Sequence, residues 1–120
     1  MGHKEGQSAL RTLSVGELRR RRRRWARTLK EDPEATLQGA LVTQGRRCGK
    51  AGCRCTQDEL HGPYVYVALA RPRRGSRLLY VPETLRAVVR QKIAMTARVA
   101  AALAAISEIN LELLARRALK

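Results

Sequence analysis

Cys48, Cys53, Cys55 and His61 fall within fourteen residues, and the three cysteines are the only ones in the chain. A tetrahedral zinc ion takes four soft or borderline ligands, and three thiolates with one imidazole make a closed structural set. Bringing four side chains to one point decides the path of the backbone around them, so this cluster constrains the fold more than any other feature. Cys53 and Cys55 are two apart, so on an extended segment both side chains leave the same face. Gly49 and Gly52 let the backbone turn tightly behind them. The spacing is C-x4-C-x-C-x5-H rather than a pair of CxxC motifs, and His61 precedes Gly62-Pro63, which leaves a plain loop role open for it. Three reduced thiols are the other reading, because cysteine is also a small buried hydrophobe. Three such closely spaced cysteines do not suit a disulfide framework, and no apolar leader points to an oxidising compartment, so a reducing cytoplasm is expected.

Size and charge bound the rest. A chain of 120 residues fits one domain, and no apolar run approaches the eighteen or so residues that span a bilayer, so a soluble protein is expected. Twenty-five Lys and Arg stand against ten acids, a net charge of +15. With three Tyr, one Trp and no Phe, the core must be small and built from Val, Leu, Ile and Ala. A Zn2+ clip would stabilise such a core, since binding free energy at a structural zinc is folding free energy.

The expected fold is α+β: a basic N-terminal helix, a small zinc-stabilised β-hairpin core and a long C-terminal helix. Residues 1–13 read as a flexible lead-in, 14–32 as the basic helix, 33–82 as the zinc loop and hairpin, and 83–120 as the long helix. Ser14 and Glu17 form a capping box, Leu13 and Leu18 a hydrophobic staple, and Pro33 ends the helix. Leu18, Arg22, Trp25 and Leu29 share a narrow stripe. Residues 39–43 read as a strand, while 63–69 and 77–81 flank the turn Arg73-Arg74-Gly75-Ser76 as a hairpin. Tyr64 and Tyr66 face one side of it, Val65 and Val67 the other, and the tyrosines read as half-buried packing. From about Glu83 to Leu119 there is neither Pro nor Gly, enough helix for about 50 Å. Its stripe, Leu85, Val89, Ile93, Ala100, Leu103, Ile106 or Ser107, Asn110 and Leu114, has two candidate partners: a second copy in a coiled coil, or the Trp25 helix in an antiparallel pair.

The strings Cys48-Gly-Lys-Ala-Gly-Cys-Arg-Cys55, His61-Gly-Pro-Tyr64, Tyr80-Val-Pro82 and Ile106-Ser-Glu-Ile-Asn-Leu111 resemble an uncharacterised prokaryotic family of small proteins. In that family a CGKxGCxC…HGPY core is preceded by a helix and followed by a long one. The resemblance runs from about Asp32 to Leu114. It implies that Cys48, Cys53, Cys55 and His61 act as one unit, and that such proteins are sometimes encoded near mobile elements. The run Arg19–Arg24 lies outside it.

So large a cationic excess points to a polyanion, because neutralising phosphates releases counterions. The expected contacts are Arg19, Arg20, Arg21, Arg22, Arg23, Arg24 and Arg27 on the basic helix, Arg46, Arg47, Lys50 and Arg54 around the cysteine loop, and Arg71, Arg73, Arg74 and Arg77 at the hairpin turn. Together these would form one basic face. Six consecutive arginines point all around a helix, which suits phosphate clamping better than base reading. The expected function is therefore backbone-dominated nucleic-acid binding, DNA or RNA, as an accessory factor of a larger nucleoprotein or mobile-element complex. Charges serving only solubility are the plainer account. A membrane surface fits poorly, because few large apolar residues lie opposite the arginines. The alternative function is a protein-interaction adaptor or homodimerisation module built on the long helix. An enzyme is not expected: Asp58 and Glu59 near His61 are thin support for a catalytic zinc, and neither the zinc-deaminase pattern nor a phosphate-cradling glycine loop is present.

Overall fold

A computed structural model describes residues 9–47, 52 and 60–120. The architecture is α+β, with helix α1 (Val15–Glu31), a three-stranded antiparallel sheet of β1 (Ala40–Arg46), β2 (His61–Arg73) and β3 (Ser76–Tyr80), and helix α2 (Arg86–Ala115). Single turns of tighter helix at Pro33–Ala35 and Glu83–Leu85 follow α1 and precede α2. The chain divides into two compact units: residues up to Thr36 with Ala94–Lys120, and Leu37–Ile93.

In the first unit α1 begins as its sequence requires. Ser14 has extended backbone and its hydroxyl accepts from the Glu17 amide at 3.1 Å, which satisfies one of the helix's orphan donors. Leu18 is fully buried together with Leu113, and Leu10 and Ile109 complete the cluster, with Leu13, Val15, Trp25 and Ala118 packed against it. Leu10 thus belongs to the core, although it lies in the stretch whose sequence reads as a flexible lead-in. Arg22 donates to the Asn110 side chain at 2.7 Å, Arg19 to the Ala118 carbonyl at 3.2 Å, and Arg98 to Glu31 at 2.9 Å. Contacts that climb α1 while descending α2 define an antiparallel pair, the intramolecular one of the two partners open to the long helix.

The buried stripe of α2 differs from the expected one by one residue. Ala102, Ile109 and Leu113 are buried and Ile106 half-buried, whereas Leu103 and Leu114 are 56% and 57% exposed. This helix carries apolar residues on two adjoining faces, and a single partner helix covers only one of them. Its end also comes earlier than expected. Arg117 takes a positive φ of 56°, the Ala118 amide bonds to the Leu113 carbonyl at 2.8 Å, and the Arg117 amide to that of Leu114 at 2.9 Å. That is a Schellman cap with arginine where glycine is usual, and Ala118 supplies the accompanying apolar contact. The adjacent Arg116 donates to the carbonyls of Leu13 at 2.6 Å, Leu10 at 2.9 Å and Arg11 at 3.2 Å, and pairs with Glu112 at 2.7 Å.

The second unit is the sheet, with β2 central. Tyr66 pairs with Val42 on one side and Tyr80 on the other, while Val67 sits between Leu41 and Leu79. Tyr66, Val67 and Val81 are its buried residues. The hairpin is longer than its apolar run suggests, because β2 continues through Arg71 to Arg73. Between the pairs Ala68–Leu78 and Arg73–Ser76, β2 places Leu69–Pro72 against Arg77 alone, a bulge of the kind that accommodates a proline in a strand. Arg74 and Gly75, with φ of 51° and 78°, make the two-residue turn.

Leu113→Ala is expected to cost about 2–5 kcal/mol by leaving a cavity under α1, while Leu114→Ala, one residue on, changes stability by less than about 0.5 kcal/mol. Urea unfolding of the two variants checks the assignment of the helix face.

Candidate nucleic-acid interface

Helix α1 sorts its arginines by position. Arg19 and Arg22 turn toward α2 and are half-buried, held by Ala118 and Asn110. Arg20 and Arg21 converge on Glu17: the Arg20 guanidinium reaches one carboxylate oxygen at 2.8 and 2.9 Å, and Arg21 lies 3.5 Å from the other. The hydrogen bond from Arg20 is the main reason the Glu17 carboxyl titrates below the ordinary glutamate range, with the Arg20 charge and then Arg21 reinforcing it. Arg23, Arg24 and Arg27 are exposed. Among the described residues they make no ion pair or side-chain hydrogen bond. Arg20, Arg23, Arg24 and Arg27 stand at i, i+3, i+4 and i+7, one face of a helix, and exposed Lys30 continues it at i+10. The six-arginine run is therefore not a uniform collar. Two members are structural, two flank Glu17, and the outward row spans about 15 Å from Arg20 to Lys30. Sequence reasoning had passed over Lys30, although its spacing from Arg27 carries the signal.

In the second unit Arg46, Arg47, Arg71, Arg73, Arg74 and Arg77 are all exposed. They do not form one cluster. Arg46 pairs with His61 where β2 begins, and Arg73 lies at its other end, about 40 Å away along an ideal strand. Antiparallel pairing itself forces this separation, because the end of β1 and the β2–β3 turn lie at opposite ends of β2. Arg46 is also engaged: its Nε donates to the Tyr66 hydroxyl at 2.7 Å, and its guanidinium lies over the Tyr66 ring at 4.8 Å from the centroid. Tyr80 packs edge-on against Tyr66 and Tyr64, with centroids 5.8 and 6.3 Å apart. The tyrosines are thus packing residues, with Tyr80 half exposed. Arg71, Arg73, Arg74 and Arg77 make no ion pair among the described residues.

Cys48, Cys53 and Cys55, with Lys50 and Arg54, lie outside the described residues. His61 is the described member of the expected metal set, exposed at the start of β2. Among the described residues no group of three His, Cys, Asp or Glu side chains could hold a metal. What the sheet does contribute is closure. Arg46 and His61 are cross-strand partners, so the strands bring together the two ends of the segment that carries the cysteines. Gly62, with φ of 112°, keeps this junction tight: a Cβ there would come within 2.8 Å of the Tyr64 amide nitrogen.

Residues 16–91 match the family described as Domain of unknown function (DUF6788). The chain belongs to that family. The DUF6788 span takes in α1 with its arginine run, the sheet and the first turns of α2. It therefore starts earlier than the resemblance drawn from the cysteine motif, which began near Asp32, and stops before the second half of the long helix. Neither a curated protein nor a solved structure matches the chain. Among the described residues no helix is long and apolar enough to cross a membrane.

The Glu17 carboxylate should lose its arginine partners only on acidification below the usual glutamate range. A depressed folded pKa means that whatever the pairing contributes is present above the unfolded pKa and lost as pH falls through the folded one. Arg20→Ala is expected to raise the Glu17 midpoint toward the ordinary value, read by NMR titration of its side-chain carboxyl.

Proposed function

We propose that this chain is a zinc-stabilised nucleic-acid-binding protein that holds the phosphate backbone by charge, an accessory factor of a larger nucleoprotein or mobile-element complex in the cytoplasm. The observation that carries this reading is the outward row Arg20, Arg23, Arg24, Arg27 and Lys30, whose last four members face solvent without a carboxylate partner. Cations free of internal partners neutralise phosphates at little internal cost, and guanidinium groups bind them bidentately. Arg47 and the hairpin arginines extend the same chemistry to the second unit. Binding rather than catalysis is the proposed activity.

Cys48, Cys53, Cys55 and His61 are the proposed ligands of one Zn2+. Support comes from the Arg46–His61 pairing, which sets His61 beside a residue two positions before Cys48 in the chain. The metal would contribute folding free energy to a loop with few apolar residues of its own. A second reading has its own observation. Leu103, Leu111 and Leu114 are each more than half exposed on α2, which suits an adaptor or homodimerisation module using that helix.

Fluorescence anisotropy across a salt series tests the main reading. Micromolar or tighter binding to duplex or single strands, weakening steeply with salt, is expected. Joint replacement of Arg23, Arg24 and Arg27 by Gln should leave the melting temperature unchanged and lower the log–log salt slope by about 2 to 3. An unaltered slope would remove α1 from the interface. Sedimentation that finds a dimer, with no nucleic-acid affinity, would favour the adaptor instead.

For zinc, metal analysis is expected to find one ion per chain, and a strong chelator to lower the melting temperature. Protein without zinc whose melting ignores the chelator would sink that part of the proposal.

A further inference from the structure

We infer that the tip of the β2–β3 hairpin, Leu69–Arg77, is a groove-entering element that places Arg74 in the major groove of B-form duplex DNA. The inference rests on the nucleic-acid reading above and specifies a second contact and the form bound. Three observations carry it. Pairing of β1 to β2 ends at Ala40 opposite Ala68, so the last nine residues of the hairpin, bulged at Leu69–Pro72 and paired again at Arg73–Ser76, run on without a third strand. Residues 70–77 are all exposed, four of them are arginines, and no carboxylate occurs between Leu60 and Pro82. The two-residue turn places Arg74 at φ 51° beside Gly75 at φ 78°.

Dimensions favour duplex DNA. From Leu78 to Ser76, β3 advances about 7 Å beyond the last three-stranded rung, and paired strands lie about 4.8 Å apart. A major groove about 12 Å wide and 8.5 Å deep admits a two-stranded ribbon with its side chains in undistorted B-form DNA, whereas a minor groove about 6 Å wide takes one only when the duplex is deformed. The deep, narrow major groove of A-form RNA excludes such a ribbon. Behind the tip, a cleft of about 740 Å³ has Leu37, Val67, Leu69 and Leu79 in its lining, with Arg71 and Arg73. Apolar surface beside guanidinium groups suits a groove wall, where thymine methyls and guanine acceptors alternate with phosphates.

The turn supplies the sharpest argument. A left-handed position in a hairpin turn favours Gly, Asn or Asp, which adopt it at low steric cost. Arginine there gives up backbone ease and presents a long cation at the tip of the hairpin. The left-handed Arg117 is accounted for by the helix cap it completes, whereas Arg74 makes no ion pair or side-chain hydrogen bond among the described residues, so its guanidinium stays available to a partner at the cost of backbone strain.

The test uses the full chain with Arg74→Gly, a change that relaxes the turn while removing the cation. Its melting temperature should equal or exceed that of the parent, its affinity for a 16-base-pair DNA duplex should fall about fivefold or more, and its salt slope should drop by about one. The parent should prefer that duplex to the same sequence as duplex RNA, and should protect guanine N7 from dimethyl sulfate. Unchanged DNA affinity in a stable Arg74→Gly protein would overturn the inference while leaving the nucleic-acid reading intact, as would equal binding of duplex RNA. A parent that binds no nucleic acid at all would sink the underlying reading itself.

Discussion

Arg116 closes the helical unit. Its guanidinium gathers the carbonyls of Leu10, Arg11 and Leu13 while its Nε pairs with Glu112. The turn before α1 is thereby tied to the C-terminal end of α2, the two stretches that supply Leu10 and Leu113 to the core. Among the described residues the buried side chains of this unit are Leu10, Leu18, Ala102, Ile109 and Leu113, a small core for ordering two helices by burial alone. Charge-assisted hydrogen bonds to the carbonyls of this turn add to what the core supplies, beyond the Leu13 amide that the Leu10 carbonyl already accepts at 3.1 Å. The Schellman cap at Arg117 and the N-cap at Ser14 complete the same arrangement from the two helix ends.

Arginine does two kinds of work in this molecule, and position alone separates them. Arg19, Arg22 and Arg116 lie where α1 and α2 meet, so their fork geometry serves folding. Arg23, Arg24 and Arg27 lie one helical face away and keep their donors for solvent or a partner. A guanidinium with a long apolar stem suits both tasks, covering apolar surface while its head reaches out. Net charge counts the two groups alike, which is why charge by itself overstates the binding surface. Arg46 adds a third use by capping the Tyr66 ring.

Much of the fold was legible in local chemistry. Ser14 and Glu17 mark the start of α1, Asp32-Pro33 its end, and Arg74-Gly75 a hairpin turn, because capping, ring closure and positive φ act on neighbouring residues. The hydrophobic stripe of α2 held Ile106 but was otherwise misplaced by one residue: Leu103 and Leu114 are as apolar as Ile109 and Leu113, and nothing in the helix itself says which face α1 will cover. The early end of α2 was hidden because Arg117 takes a conformation usually signalled by glycine. The arginine row on α1 was partly legible as a charge run, but the loss of Arg19 and Arg22 to packing depends on Ala118 and Asn110, more than eighty residues away. For the cysteines the sheet contributes the pairing of Arg46 with His61, a cross-strand relation that spacing alone does not reveal.

The sequence by itself determined the order and kind of the elements, the cationic character, and the grouping of three cysteines and a histidine, since each depends on residues close along the chain. Only the tertiary structure decided which face of α2 is buried, which arginines remain outward, and that Arg46 and the hairpin-turn arginines lie at opposite ends of one sheet. Those outcomes depend on contacts between distant residues, where several pairings satisfy the same local pattern and packing selects among them.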